Sequence, residues 1–189
     1  MEKITLRKII GHFKTIHTHR KWVRKYCFLA GIPWRGITHD LSKYSPTEFW
    51  ESVRYWTGNG SPIDVCKREN GFSRGWLHHK GRNPHHYEYW MDNFDKGGIP
   101  LIMQEKDFTE QVCDFLGAAR AYTKDKFSYQ AELEWWNKKR ENCAMHSANK
   151  QMLNTIFNNF STKTDEEVED LIKHKYIQQV WREISEYYR

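Results

Sequence analysis

Apolar residues recur at helical spacing along most of this chain. Over residues 3–31 the stripe is Ile4, Ile9, Ile10, Phe13, Ile16, Val23, Tyr26, Cys27 and Ala30, which predicts one helix or two. Gly31 and Pro33 then form a stop signal. A short loop, 32–36, leads into Ile37-Thr38-His39-Asp40-Leu41. Ser45-Pro46-Thr47-Glu48 reads as a helix start, with Ser as N-cap, Pro in the first position and Glu three residues after the cap, for a helix to about Trp56.

Residues 57–71 are polar and glycine-rich and read as a loop with one helical turn, 72–79 as a helix, and 80–84 as a turn. Pro84 is placed to start a further helix through Tyr87 and Trp90, and Gly97-Gly98-Ile99-Pro100 breaks the chain again. Residues 104–123 carry Phe108, Val112, Phe115, Leu116, Ala119 and Tyr122, a strong amphipathic helix. Helices follow at 129–144 and 147–160. Thr164-Asp165-Glu166-Glu167 caps a last one over 165–187. No segment alternates with the period of a strand. The expectation is an all-α, single-domain helical bundle of about seven or eight helices, with 1–145 as the main domain and 146–189 as a helical extension packed on it.

Composition narrows the classes. The chain has 189 residues and 29% charged side chains. No apolar run reaches the roughly 20 residues a membrane span requires, and no signal-peptide core precedes the first helix. Cys27, Cys66, Cys113 and Cys143 are widely spaced, against a disulfide scaffold or a Cys-type zinc site. A reduced cytoplasmic setting and no membrane association are expected. The net charge of +6 favours anionic partners, but the basic residues are dispersed, so a small anionic substrate fits at least as well as a nucleic-acid lattice, and nucleic acid is not the expected partner.

The chemistry gathers in histidine. Residues 78–90 hold four of the ten, as the pairs His78-His79 and His85-His86, with Lys80 and Arg82 between them. Imidazole is the commonest neutral metal ligand. Upstream stands the doublet His39-Asp40, whose aspartate has two oxygens to offer and can bridge two ions, with Lys43 about one turn further on. His17 and His19 lie on the first helical segment, and Asp114 lies on the amphipathic helix before Gly117-Ala118-Ala119, small residues that permit close helix approach. His146 and His174 fall outside this order. Mixed imidazole and carboxylate ligation suits divalent Mn, Fe, Co or Zn, as one or two ions.

His39-Asp40-Leu41-Ser42-Lys43, with a histidine upstream and Asp114 downstream, resembles the signature of the HD superfamily, all-α metalloenzymes named for a His-Asp doublet; Ser42 stands where Gly is common. Thr38-His39-Asp40-Leu41-Ser42-Lys43-Tyr44-Ser45-Pro46 and the 78–90 stretch also resemble bacterial and phage-associated proteins of uncharacterised function (domain of unknown function 5662), over about residues 8–140. The HD resemblance implies His19, His39, Asp40, His79, His86 and Asp114 as metal ligands, one from each His pair, with His78 and His85 as alternates. Together with the basic charge and Lys43, this favours a phosphohydrolase acting on a nucleotide or another small phosphate ester, in which Asp40 would bridge the metals and Lys43 and Arg82 would meet the phosphoryl oxygens. A di-iron oxygenase of the same superfamily, or a non-catalytic metal-stabilised nucleotide-binding protein, are the other readings.

Overall fold

The structure is a computed structural model that describes residues 3–188; residues 1, 2 and 189, at the ends of the expected 1–145 and 146–189 spans, lie outside it. The chain is all-α. Its described helices are α1 (Leu6–Leu29), α2 (Pro33–Thr38), α3 (Pro46–Tyr55), α4 (Pro62–Asn70), α5 (Arg74–Lys80), α6 (Glu105–Thr123), α7 (Tyr129–Lys139), α8 (Ser147–Phe160), α9 (Asp165–Lys173) and α10 (Tyr176–Glu186). Two residues from each of β1 (Met91–Asp92) and β2 (Ile99–Pro100) form an antiparallel ribbon around the glycine turn. None of the described helices is long and apolar enough to cross a membrane.

Ten helices rather than seven or eight follow from three local causes. Pro33 occupies the first turn of a short helix where a loop was expected, because its missing N–H costs nothing there. Pro62 starts α4 inside the polar 57–71 stretch, and Gly71 in the left-handed conformation ends it. The expected 165–187 helix is split where Lys175 adopts φ 65°. Pro84 does the reverse of what was expected: only a 3-10 turn, Tyr87–Tyr89, follows it. The Ser45 cap and the Thr164–Glu167 capping box form as expected.

One apolar cluster runs from Val23 and Tyr26 on α1, through Phe108, Val112 and Leu116 on α6 and Trp136 on α7, to Met152 and Phe157 on α8, Ile172 on α9 and Ile177 on α10. Helix α6 is buried along most of its length, and α1 lies against it at a contact set by Gly117. A Cβ at that position would stand 2.4 Å from Val23 Cγ2 and 3.0 Å from the Val23 backbone nitrogen. Gly117→Val is therefore expected to cost about 1–3 kcal/mol by overpacking. It should also weaken metal retention, since His19 and Asp114 ride on the two helices forced apart; denaturant unfolding and metal analysis of the variant check both.

The C-terminal helices close the other end of α1. Lys175 Nζ and Gln178 Nε2 both donate to the Ala30 carbonyl, at 2.7 and 2.8 Å, satisfying an oxygen that the end of α1 leaves without a helical partner. Trp181 Nε1 likewise donates to the Met103 carbonyl ahead of α6.

Candidate metal centre

Helix α2 ends at the His-Asp doublet. Asp40 takes a left-handed backbone conformation (φ 54°, ψ 27°) between α2 and the 3-10 turn Leu41–Tyr44. Aspartate is among the few residues that tolerate this region. His39 and Asp40 are both fully enclosed, with exposures of 2% and 1%.

Around them the chain gathers seven ligand candidates. Asp40 Oδ2 lies 3.3 Å from His19 Nε2 and 3.3 Å from His39 Nε2. Asp114 Oδ1 completes that group at 3.1 Å from His19 and 3.4 Å from His39. The other oxygen, Asp40 Oδ1, lies 3.2 Å from His79 Nε2 and 3.4 Å from His85 Nε2, with His86 in the same group. Two quartets thus share one carboxylate. Ligands about 2.1 Å from a common centre stand about 3.0 Å apart at right angles and about 3.4 Å apart at tetrahedral angles, and the spacings fall on those edges.

The chemistry of the donors fits a metal for a second reason. Nε2 of His79, His85 and His86 is buried and has no hydrogen-bond partner among the described residues. Such orphaned groups cost about 1–3 kcal/mol each, and a shared cation removes the penalty.

The opposite ring nitrogens are clamped. Glu110 Oε1 accepts from His39 Nδ1 at 2.8 Å and lies 3.2 Å from His85 Nδ1. Glu48 holds His79 Nδ1 at 2.7 Å and His78 Nδ1 at 2.6 Å. Arg35 reaches Glu110 Oε2 and Asp107 Oδ1 from outside. A carboxylate on Nδ1 fixes the ring and leaves the Nε2 lone pair for a metal. Glu110→Gln is expected to weaken metal affinity about 10–100-fold, read by competition with a chromophoric chelator; unchanged affinity would show that Glu110 serves only to fold α6.

The electrostatics follow from burial and charge together. Burial disfavours charge on His39, but the Asp40, Asp114 and Glu110 carboxylates override it and raise its pKa well above the usual value. Burial likewise opposes ionisation of Asp40, while His39 and Lys43 hold it well below the usual carboxylate range. Burial would raise Glu110 too, yet its bonds to His39 and His85 keep it at about 2. His86 is pushed well below its usual value by burial and by its neighbours His85 and His79, so it stays neutral.

All six expected ligands meet here. From the first pair only His79 enters, because neighbours on α5 diverge around a helix; His78 turns to Glu48. From the second pair both rings enter, where one was expected: His86 has extended backbone outside any helix, and the two rings sit 4.2 Å apart. Lys43 Nζ lies 2.7 Å from Asp40 Oδ2. Arg82 is exposed, its guanidinium bonded to the His78 carbonyl at 3.3 Å, and it does not line the cavity described next. His17 is exposed, and His146 caps α8 by accepting from Ala148 N–H. Glu48 and Glu110 were missed in the sequence. Glu110 had a signal: Asp107, Glu110 and Asp114 fall on one stripe of a largely apolar helix.

A cavity of about 420 Å³ opens at the centre. His19, His79, His86 and Asp114 form its floor, Lys43, Lys67 and Lys139 supply positive charge, and Trp76, Phe115, Tyr122 and Trp135 stand in its walls. No curated protein and no solved structure matches the chain. The family of unknown function DUF5662 matches residues 8–159, a span holding every ligand candidate and both clamping glutamates, and the chain belongs to that family.

Proposed function

We propose that this protein is a metal-dependent phosphohydrolase of HD type, acting on a small phosphate ester. One observation carries the reading. A single carboxylate, Asp40, stands between two sets of buried imidazoles, and three of these, His19, His79 and His86, line a cavity that also presents three lysines. The order His19, His39-Asp40, His79, His85-His86, Asp114 supports the HD resemblance.

His19, His39, Asp114 and Asp40 would hold one ion, and His79, His85, His86 and Asp40 the other. Metals bound there supply Lewis acidity toward a phosphoryl oxygen and a water of lowered pKa. Glu110 and Glu48 keep the imidazoles in the ligating tautomer. Lys43 stays protonated against burial because Asp40 lies beside it, so it can neutralise charge that builds on the phosphoryl group. Lys67 and Lys139, rather than Arg82, are the further cations within reach of a ligand in the cavity. The cavity volume falls in the range of small-molecule sites.

The test is a phosphatase screen of protein loaded with Mn, Co, Zn or Fe, over nucleotides and simpler phosphate esters. Lys43→Ala is expected to lower kcat about 10²–10³-fold at unchanged metal content. Full metal loading with no phosphate released from any ester would defeat the proposal. Iron-dependent O2 consumption without phosphate release would move the site to oxygenase chemistry, and tight nucleotide binding without turnover to a binding role.

A further inference from the structure

Glu132 stands in the same cavity but takes no part in the metal cluster. It sits on α7, is 6% exposed, and its side chain has no hydrogen-bond or ion-pair partner among the described residues. Phe115, Phe127, Ala131 and Trp135 line the same cavity. An ionised carboxylate with no partner is expensive to bury. Burial raises its pKa to about 8, with Lys139 on its own helix working against the rise and Asp114 on α6 adding to it. The other charged groups facing the cavity are Lys43 after the doublet, Lys67 and Asp64 on α4, and Glu88 in the turn after Pro84.

An uncharged carboxyl carries an O–H donor that a carboxylate lacks. Set in an aromatic wall and unpaired, that donor is available to a ligand. We propose that Glu132 is a specificity-determining hydrogen-bond donor, which in its uncharged form reads an acceptor oxygen or ring nitrogen on the apolar or aromatic part of a ligand whose phosphate lies over the metal centre. The cavity then selects phosphate esters with an aromatic body bearing an acceptor. This rests on the reading of the cavity as a phosphate-ester site.

The experiment uses 4-nitrophenylphosphonate, which resists hydrolysis and whose nitro oxygens accept hydrogen bonds. Its Kd is measured by calorimetry with metal-loaded wild type, Glu132→Gln and Glu132→Leu at pH 6.5 and 9. Glutamine keeps both size and a donor, so at pH 6.5 it should match wild type, while the leucine variant binds about tenfold more weakly. At pH 9 wild type should weaken about tenfold relative to Glu132→Gln, whose donor does not titrate. If the leucine variant misfolds, the pH comparison of wild type with Glu132→Gln still decides. A wild-type-to-glutamine Kd ratio that is the same at both pH values overturns the proposal, as does absence of phosphonate binding. If the predicted binding pattern appears while neither 4-nitrophenyl phosphate nor any other ester of the screen is hydrolysed, the phosphohydrolase reading fails and the role of Glu132 stands.

Discussion

Asp40→Asn is expected to empty both halves of the centre together, whereas His19→Ala and His86→Ala should each weaken one half. Asparagine has nearly the same volume and also tolerates the left-handed backbone that position 40 requires, so the fold should persist. What it lacks is the charge and the second anionic oxygen. Asp40 faces His19 and His39 through Oδ2 and His79 and His85 through Oδ1, so one change removes a ligand from each quartet. Elemental analysis after gel filtration should fall from one or two metals per chain to below about 0.2, a loss in affinity exceeding about a hundredfold. A variant that keeps its full complement would refute the bridging assignment, and so would one that loses no more than His86→Ala.

Chelation is the second large effect. A metal at a hundred times its Kd stabilises the folded state by about 2.7 kcal/mol. For a chain of this size each kcal/mol is worth about 2–4 °C, so EDTA should lower Tm by about 5–10 °C. The difference should depend on pH in a particular direction. Without metal, His39 is raised well above its usual pKa and His85 to about 9. Both contributions are complete below the unfolded value near 6.5; that of His85 is lost as pH rises through about 9, and that of His39 is lost only well above its ordinary range. Glu110, held at about 2, contributes above its ordinary carboxylate range and loses that only in acid. With metal bound the rings serve as neutral ligands, and proton competition weakens as pH rises. Melting curves with and without EDTA at pH 6.5, 8 and 9 should therefore diverge with pH; convergence would mean that the histidines are not ligands.

The sequence carried the elements whose causes are local. Apolar periodicity located α1, α6 and α8, and the Ser45 and Thr164 caps fixed two helix starts to the residue. The residues gathered at the centre were legible because ligand chemistry restricts them to few types. The clamps were not. Glu48 sits where a capping-box glutamate belongs, and only the approach of α5 to α3 turns it toward His78 and His79. Glu110 acts across 71 residues of sequence on His39, a contact no local pattern encodes. Arg82 illustrates the converse: neighbours in sequence to two His pairs, it points away because the chain turns there. The break between α9 and α10 depends on one left-handed lysine, which the continuous apolar stripe conceals.

That lysine, with Gln178, holds the Ala30 carbonyl across nearly the full length of the chain. The consequence is one of folding order. Contacts so distant in sequence form late and slow the search for the native state, so α1 gains its terminal cap only after α10 has been synthesised and docked. Helix α1 carries His19. The seam between α1 and α6 is packed at Gly117, so docking of α10 adds the cap that steadies the end of α1 beyond His19. Metal held by nascent chains should accordingly be retained more tightly once α10 has been synthesised.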